Sequence, residues 1–117
     1  MSYIDGYLIP VQNAKKDAYF EMADKAKQVF LDHGALRVVE TWSDNVPRGK
    51  VTDFYRAVAA SDDEGVVFSW VEWPDKAARD AGFDKVMNDE RMNNMGEMPF
   101  DGKRLIFGGF AIMVEGS

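Results

Sequence analysis

Apolar positions along the chain fall into short runs of strand character separated by stretches with helical spacing. Tyr3 to Val11 is apolar and aromatic, interrupted by Asp5 and Gly6 and ended near Pro10, which predicts a first strand. A helix is expected next, because Tyr19, Phe20, Ala23, Ala26, Val29 and Phe30 recur at spacings of three and four. Asn13 reads as its N-cap and Gly34 as its stop. Leu36 to Trp42 is rich in β-branched residues and predicts a second strand, closed by the turn-forming stretch Ser43 to Gly49. Thr52 reads as the cap of a short helix reaching Ala60. Asp62-Asp63-Glu64-Gly65 reads as a turn, and Val66 to Trp73 as a third strand that Pro74 ends. A second long helix is expected to about Asn88, with Gly82 weakening its middle and Asp89 placed to cap one more turn. Arg104 to Glu115 predicts the last strand.

This order, β-α-β-(short helix)-β-α-β, is the split βαβ pattern of ferredoxin-like folds. It predicts an α+β domain spanning residues 1–117, with a four-stranded antiparallel sheet and two helices on one face. An antiparallel sheet with one wet face alternates apolar and polar residues. The last strand does not: Ile106, Phe110, Ile112 and Val114 occupy one phase, Leu105, Phe107, Ala111 and Met113 the other. Both faces therefore need cover. Because the helices shield only one, the other is expected to pack on a second copy of the sheet, and a homodimer is the simplest closed arrangement.

Composition narrows the chemistry. The 117 residues include no cysteine and a single histidine, which removes thiolate nucleophiles, disulfides, cysteine zinc sites and any all-histidine metal site within one subunit. No metal site is expected. A net charge of -6 would repel phosphate backbones, and the only basic clusters are the pairs Lys15-Lys16 and Lys103-Arg104. RNA-recognition domains share this strand order, yet Glu64 stands where their third-strand signature needs a basic residue and Val66 where it needs a stacking ring. Nucleic acid is thus not an expected partner. No apolar run approaches the roughly 20 residues of a membrane span, and the start Met1-Ser2-Tyr3-Ile4-Asp5-Gly6 lacks the regions of a signal peptide, so a cytoplasmic location without membrane contact is expected. No Walker loop, Gly-x-Ser-x-Gly or His-Glu-x-x-His is present.

Several side chains remain as carriers of chemistry. His33 is the one group whose ordinary pKa lies near neutrality, and it stands at the edge of the first helix's apolar stripe. It reads either as a helix-end histidine bonded to a free carbonyl or as a general base or haem ligand at a pocket mouth. Asp5, Arg37, Glu40 and Glu72 are charges among apolar strand neighbours, and such carboxylates need partners or shifted pKa values. They read either as structural ion pairs or edge-strand charges, or one raised carboxyl among them acts as a proton donor beside Tyr7 or His33. Trp42 and Trp70 are candidates for an aromatic pocket wall, with core packing as the plainer explanation. Gly108-Gly109 inside an apolar strand asks for a bulge or a close approach by a ligand or helix. Met87, Met92, Met95 and Met98 precede the last strand and read as an adaptable lid or a loose connection.

The segments Tyr3-Ile4-Asp5-Gly6-Tyr7, His33-Gly34-Ala35-Leu36, Val67-Phe68-Ser69-Trp70, Ala78-Arg79-Asp80 and Met98-Pro99-Phe100-Asp101-Gly102-Lys103-Arg104 resemble those of the YbaA-like family, small bacterial proteins of unknown function. The resemblance covers nearly the whole chain. It implies a dimeric α/β barrel, in which two ferredoxin-like sheets pack face to face, and brings no established activity. That superfamily also holds cofactor-free monooxygenases, haem-degrading enzymes, lyases and isomerases. Two function classes follow. One is a small-molecule-binding dimer acting as an enzyme without a cofactor, with His33, Glu40 and Tyr7 as catalytic candidates and Trp42, Trp70, Gly108 and Gly109 as ligand-binding candidates. The other is a non-catalytic binding or stress-associated dimer in which these residues are structural. An enzyme of the first class should contain a cavity of about 300 Å³ or more lined by such polar groups.

Overall fold

The computed structural model describes residues 2–117 and contains the expected α+β architecture. Strands β1 (Tyr3–Gln12), β2 (Arg37–Trp42), β3 (Glu64–Trp73) and β4 (Ile106–Ala111) form one sheet in the order β2-β3-β1-β4, with every neighbouring pair antiparallel. Helices α1 (Lys16–Asp32) and α3 (Lys76–Met87) carry the crossovers, and α2 (Phe54–Ala57) and α4 (Glu90–Asn93) are single turns.

Register divides each strand between two faces. Asp5 pairs with Val71 and Gly109, and Tyr7 with Ser69 and Phe107, so the odd positions of β1, β3 and β4 share a face. Glu40 opposite Ser69 brings the even positions of β2 onto it. This face meets the helices. Val29 and Phe30 of α1 pack with Val71, Trp73 and Val86, while Tyr19 and Ala23 pack with Ile9, Val11 and Val67. Each fully buried large side chain contributes roughly 1.5–3 kcal/mol through removal of apolar surface from water.

A buried charge fixes α3 to the sheet. Asp5 is 1% exposed, accepts from the Trp73 indole at 2.9 Å, and receives Arg79 from α3 at 2.8 Å. The Arg79 guanidinium also lies over the rings of Tyr3 and Phe83. At Gly82 the same helix approaches so closely that an added Cβ would meet the Trp73 ring and the His33 carbonyl. The glycine that costs helix propensity is therefore what lets α3 sit against Trp73 and the end of α1.

The opposite face carries Ile4 and Leu8 of β1, Phe68 and Trp70 of β3, and Ile106 and Phe110 of β4. Phe68, Ile106 and Phe110 are 46%, 46% and 57% exposed. Only the edge of this surface is covered, where Phe54 of α2 tilts against Phe68.

Element ends differ from expectation in several places, among them α2, expected to reach Ala60 and ending at Ala57. Asn13 does not cap α1: it opens a 3-10 turn, Asn13–Lys15, held where its backbone N–H donates to the Asp63 carbonyl, and α1 starts without a side-chain cap. Asp53, not Thr52, caps α2, its carboxylate accepting from the Arg56 N–H at 2.8 Å. Glu64 and Gly65 belong to β3 because Gln12 and Val11 pair with them. β4 ends at Ala111, since its partner β1 begins opposite, at Tyr3. Asp89 caps α4 as expected. Among the described residues no helix is long and apolar enough to cross a membrane.

Candidate functional site

Between the sheet and the helices lies a cavity of about 320 Å³. Its walls are largely apolar, with Lys27 at the edge and a polar cluster at one end, where β1, β2 and β3 bring Tyr7, Glu40 and Ser69 together and α1 adds Tyr19. Glu40 and Ser69 are register partners on adjacent strands. The Tyr19 hydroxyl donates to Glu40 Oε1 at 2.8 Å.

Electrostatics at this end follow from burial. Loss of solvent raises the Glu40 carboxyl above its usual range, and the Tyr19 and Ser69 hydroxyls oppose that rise. The Tyr7 phenol is pushed far up by burial and then by the Asp5 charge, with Arg79 acting the other way. Burial and then the charge of Glu40 do the same to Tyr19. Both phenols therefore stay neutral at physiological pH.

The other wall is soft. Met22 of α1, Met87 of α3, and Met92, Met95 and Met98 from α4 and the segment after it all face the cavity. Flexible thioethers fill irregular space and adapt to a guest better than branched side chains do.

Of the catalytic candidates, Tyr7 and Glu40 line this cavity and His33 does not. His33 forms the C-terminal cap of α1, and its Nε2 lies 2.8 Å from Asp89 Oδ2. It neither bonds a free helix carbonyl through its ring nor faces Glu40. Arg91 bridges the same carboxylate to Asp32 of α1, so this cluster fastens α4 to the end of α1. The other strand charges also have their own partners: Arg37 with Glu72 at 3.5 Å, and Asp5 with Arg79.

The ligand-binding candidates scatter. Trp42 packs edge-on against Phe20 with Lys16 over its ring, outside the cavity. Trp70 stands on the opposite face of the sheet and donates its indole N–H to Glu72 at 2.9 Å. Gly108 lies on that opposite face too, beside Phe110. At Gly109 the close approach is internal, because an added Cβ would run into the Tyr3 ring. None of the four borders the cavity.

Sequence reasoning missed Tyr19 and Ser69. Tyr19 was hidden within the apolar stripe of α1, although a hydroxyl there requires a buried partner. The signal at Ser69 was a lone polar residue in the run Val66 to Trp73.

Comparison with known proteins places this geometry. The profile of the family described as protein of unknown function, DUF1428, matches residues 2–102. YbaA of Escherichia coli K12, an uncharacterised protein, is 55% identical over 116 residues, covering 98% of this chain and 99% of that one. The chain belongs to the DUF1428 family. YbaA of Shigella flexneri matches to the same degree over the same span. Solved structures extend the fold further than the sequence. A dimeric ferredoxin-like protein from an uncultured marine organism superposes with a TM-score of 0.60 at 10% identity, covering 98% of this chain and 100% of that one. SnoaB, a cofactor-independent oxygenase from Streptomyces nogalater, gives 0.56 at 12% identity, covering 97% and 95%. At such identities the likeness establishes the ferredoxin-like fold of this DUF1428 chain and leaves its chemistry to its own residues.

Proposed function

We propose that this protein is a small-molecule-binding homodimer whose cavity serves as an acid–base site built from side chains alone. The observation that carries this reading is the 320 Å³ space itself, largely apolar apart from Lys27 at its edge and the point where Tyr7, Tyr19, Glu40 and Ser69 converge. Ligand sites have that composition: an apolar body for affinity and a few placed polar groups for orientation. Glu40, raised by burial, is the proton donor or acceptor, and the neutral Tyr7 and Tyr19 hydroxyls orient a polar group of the guest. The methionine wall closes over the apolar part. Two copies pack through the open sheet face, so that each subunit keeps its own cavity on the helix side. The dimeric description of the marine neighbour and the cofactor-independent chemistry of SnoaB support both halves of this reading by analogy of fold.

Ala26 offers a direct test, since it lies on α1 at the cavity wall. In ligand-observed NMR with a panel of indole- and naphthalene-sized compounds, the wild-type protein and His33→Gln should both bind. Ala26→Phe should fill the space and abolish binding while keeping a cooperative melt. Binding that survives Ala26→Phe would place the site elsewhere.

A further inference from the structure

The four strands carry four carboxylates in all: Asp5, Glu40, Glu64 and Glu72. Three of them hold a basic partner. Asp5 takes Arg79 at 2.8 Å, Glu64 takes Arg104 at 2.6 Å, and Glu72 takes Arg37 at 3.5 Å. Glu40 alone, among the described residues, forms no salt bridge; its contact is the Tyr19 hydroxyl. It is also the one of the four that faces the cavity. Lys27 reaches the cavity edge, but its ammonium is turned to Asp24 at 2.8 Å.

Carboxylates removed from water are ordinarily matched by a cation: the two buried ones, Asp5 and Glu64, each hold an arginine, the more exposed Glu72 pairs with Arg37 at the surface, and the half-buried Glu40 at the cavity has no such partner. The surrounding walls suit an organic cation in particular. Phe30, Phe83, Phe100 and Phe107 line the cavity with the tyrosines, and ring faces attract ammonium groups. An anionic guest would meet Glu40 and two phenols, and the lysine at the cavity edge, Lys27, is turned to Asp24. The net charge of -6 also favours the approach of a positive molecule.

We infer that the cavity takes a protonated amine on an apolar, ring-sized body, with the ammonium hydrogen-bonded to Glu40 and the body against the methionine wall. This rests on the cavity being a ligand site, as proposed above, and adds the chemical class of the ligand.

Calorimetric titration with a pair of probes of one shape tests it: 1-naphthylmethylamine, charged at pH 7.5, and 1-naphthylmethanol, neutral. The amine should bind the wild-type protein about tenfold or more tightly than the alcohol, the size expected of a hydrogen bond strengthened by charge. Glu40→Gln, nearly isosteric, should erase that preference while leaving the affinity for the alcohol in place. Equal affinity of the wild-type protein for both probes overturns the amine assignment and leaves the cavity reading standing. A preference that persists in Glu40→Gln also overturns it, because the attraction then comes from the surface charge at large. If neither probe binds, both readings fall together.

Discussion

Glu64 and Glu40 show how two carboxylates on one sheet acquire opposite roles. Arg104 grips Glu64 through two parallel bonds of 2.6 and 2.7 Å, and Ser61 adds a backbone N–H at 2.8 Å. This holds the Glu64 carboxyl down at about 2, against 4.5 for the free group. Its contribution to stability is therefore complete above the unfolded value of 4.5 and is lost as pH falls from there to about 2. Arg104→Met strands a buried carboxylate, and urea denaturation at pH 7 should show a loss of roughly 3 kcal/mol. The variant should also lose less than the parent between pH 5 and pH 3, as its Glu64 no longer has a low folded-state pKa to titrate. Glu40 carries the reverse sign. With its folded value raised, its ionisation weakens the fold as pH climbs, which is the penalty a site accepts for holding an exchangeable proton in an apolar place. Glu40 was visible in the sequence as a strand charge and Glu64 only as part of an acidic turn, and the partner of neither was visible. The side chain of Arg104 comes from 40 residues away and that of Tyr19 from 21, and neither separation follows a local period. His33 misled for the same reason: its position at a helix end was legible, whereas the direction of its ring depended on Asp89, 56 residues on.

At the level of elements, the order and type of every strand and both long helices were legible, because they rest on periodicity and on Gly and Pro punctuation. Their ends were not, because pairing decides them. The acidic run before β3 looks like a turn by composition, yet Gln12 and Val11 draw Glu64 and Gly65 into the ladder. β4 stops opposite the first residue of β1, whatever the apolar character of Met113 and Val114. The same priority of packing over propensity governs α3. Replacing Gly82 with alanine in an exposed helix would be expected to stabilise by up to about 1 kcal/mol. Here the added methyl meets Trp73 and the His33 backbone, so Gly82→Ala should instead destabilise by about 1–3 kcal/mol in chemical denaturation. A neutral or stabilising result would mean that α3 sits further from the sheet than described.

For the whole molecule, the exposed Phe68, Ile106 and Phe110 on the open face are the basis of the proposed dimer. Sedimentation at micromolar concentration should give twice the mass of the chain. Phe68→Glu should shift the species to monomer with little loss of monomer stability, since the ring is already 46% exposed. A monomeric wild-type protein would remove the face-to-face arrangement. The division of every strand between two faces has a further consequence. Phe68 and Trp70 point away from the cavity while Ser69 between them points into it, so neighbouring codons answer to unrelated demands. In the proposed dimer, recognition of a guest and recognition of the twin subunit would thereby be interleaved along the chain without being coupled, and each could drift or be re-engineered alone. A library confined to Tyr7, Val38, Glu40 and Ser69 would explore new guests on an unchanged assembly, and one confined to Ile4, Leu8, Phe68 and Phe110 would explore new assemblies around an unchanged guest.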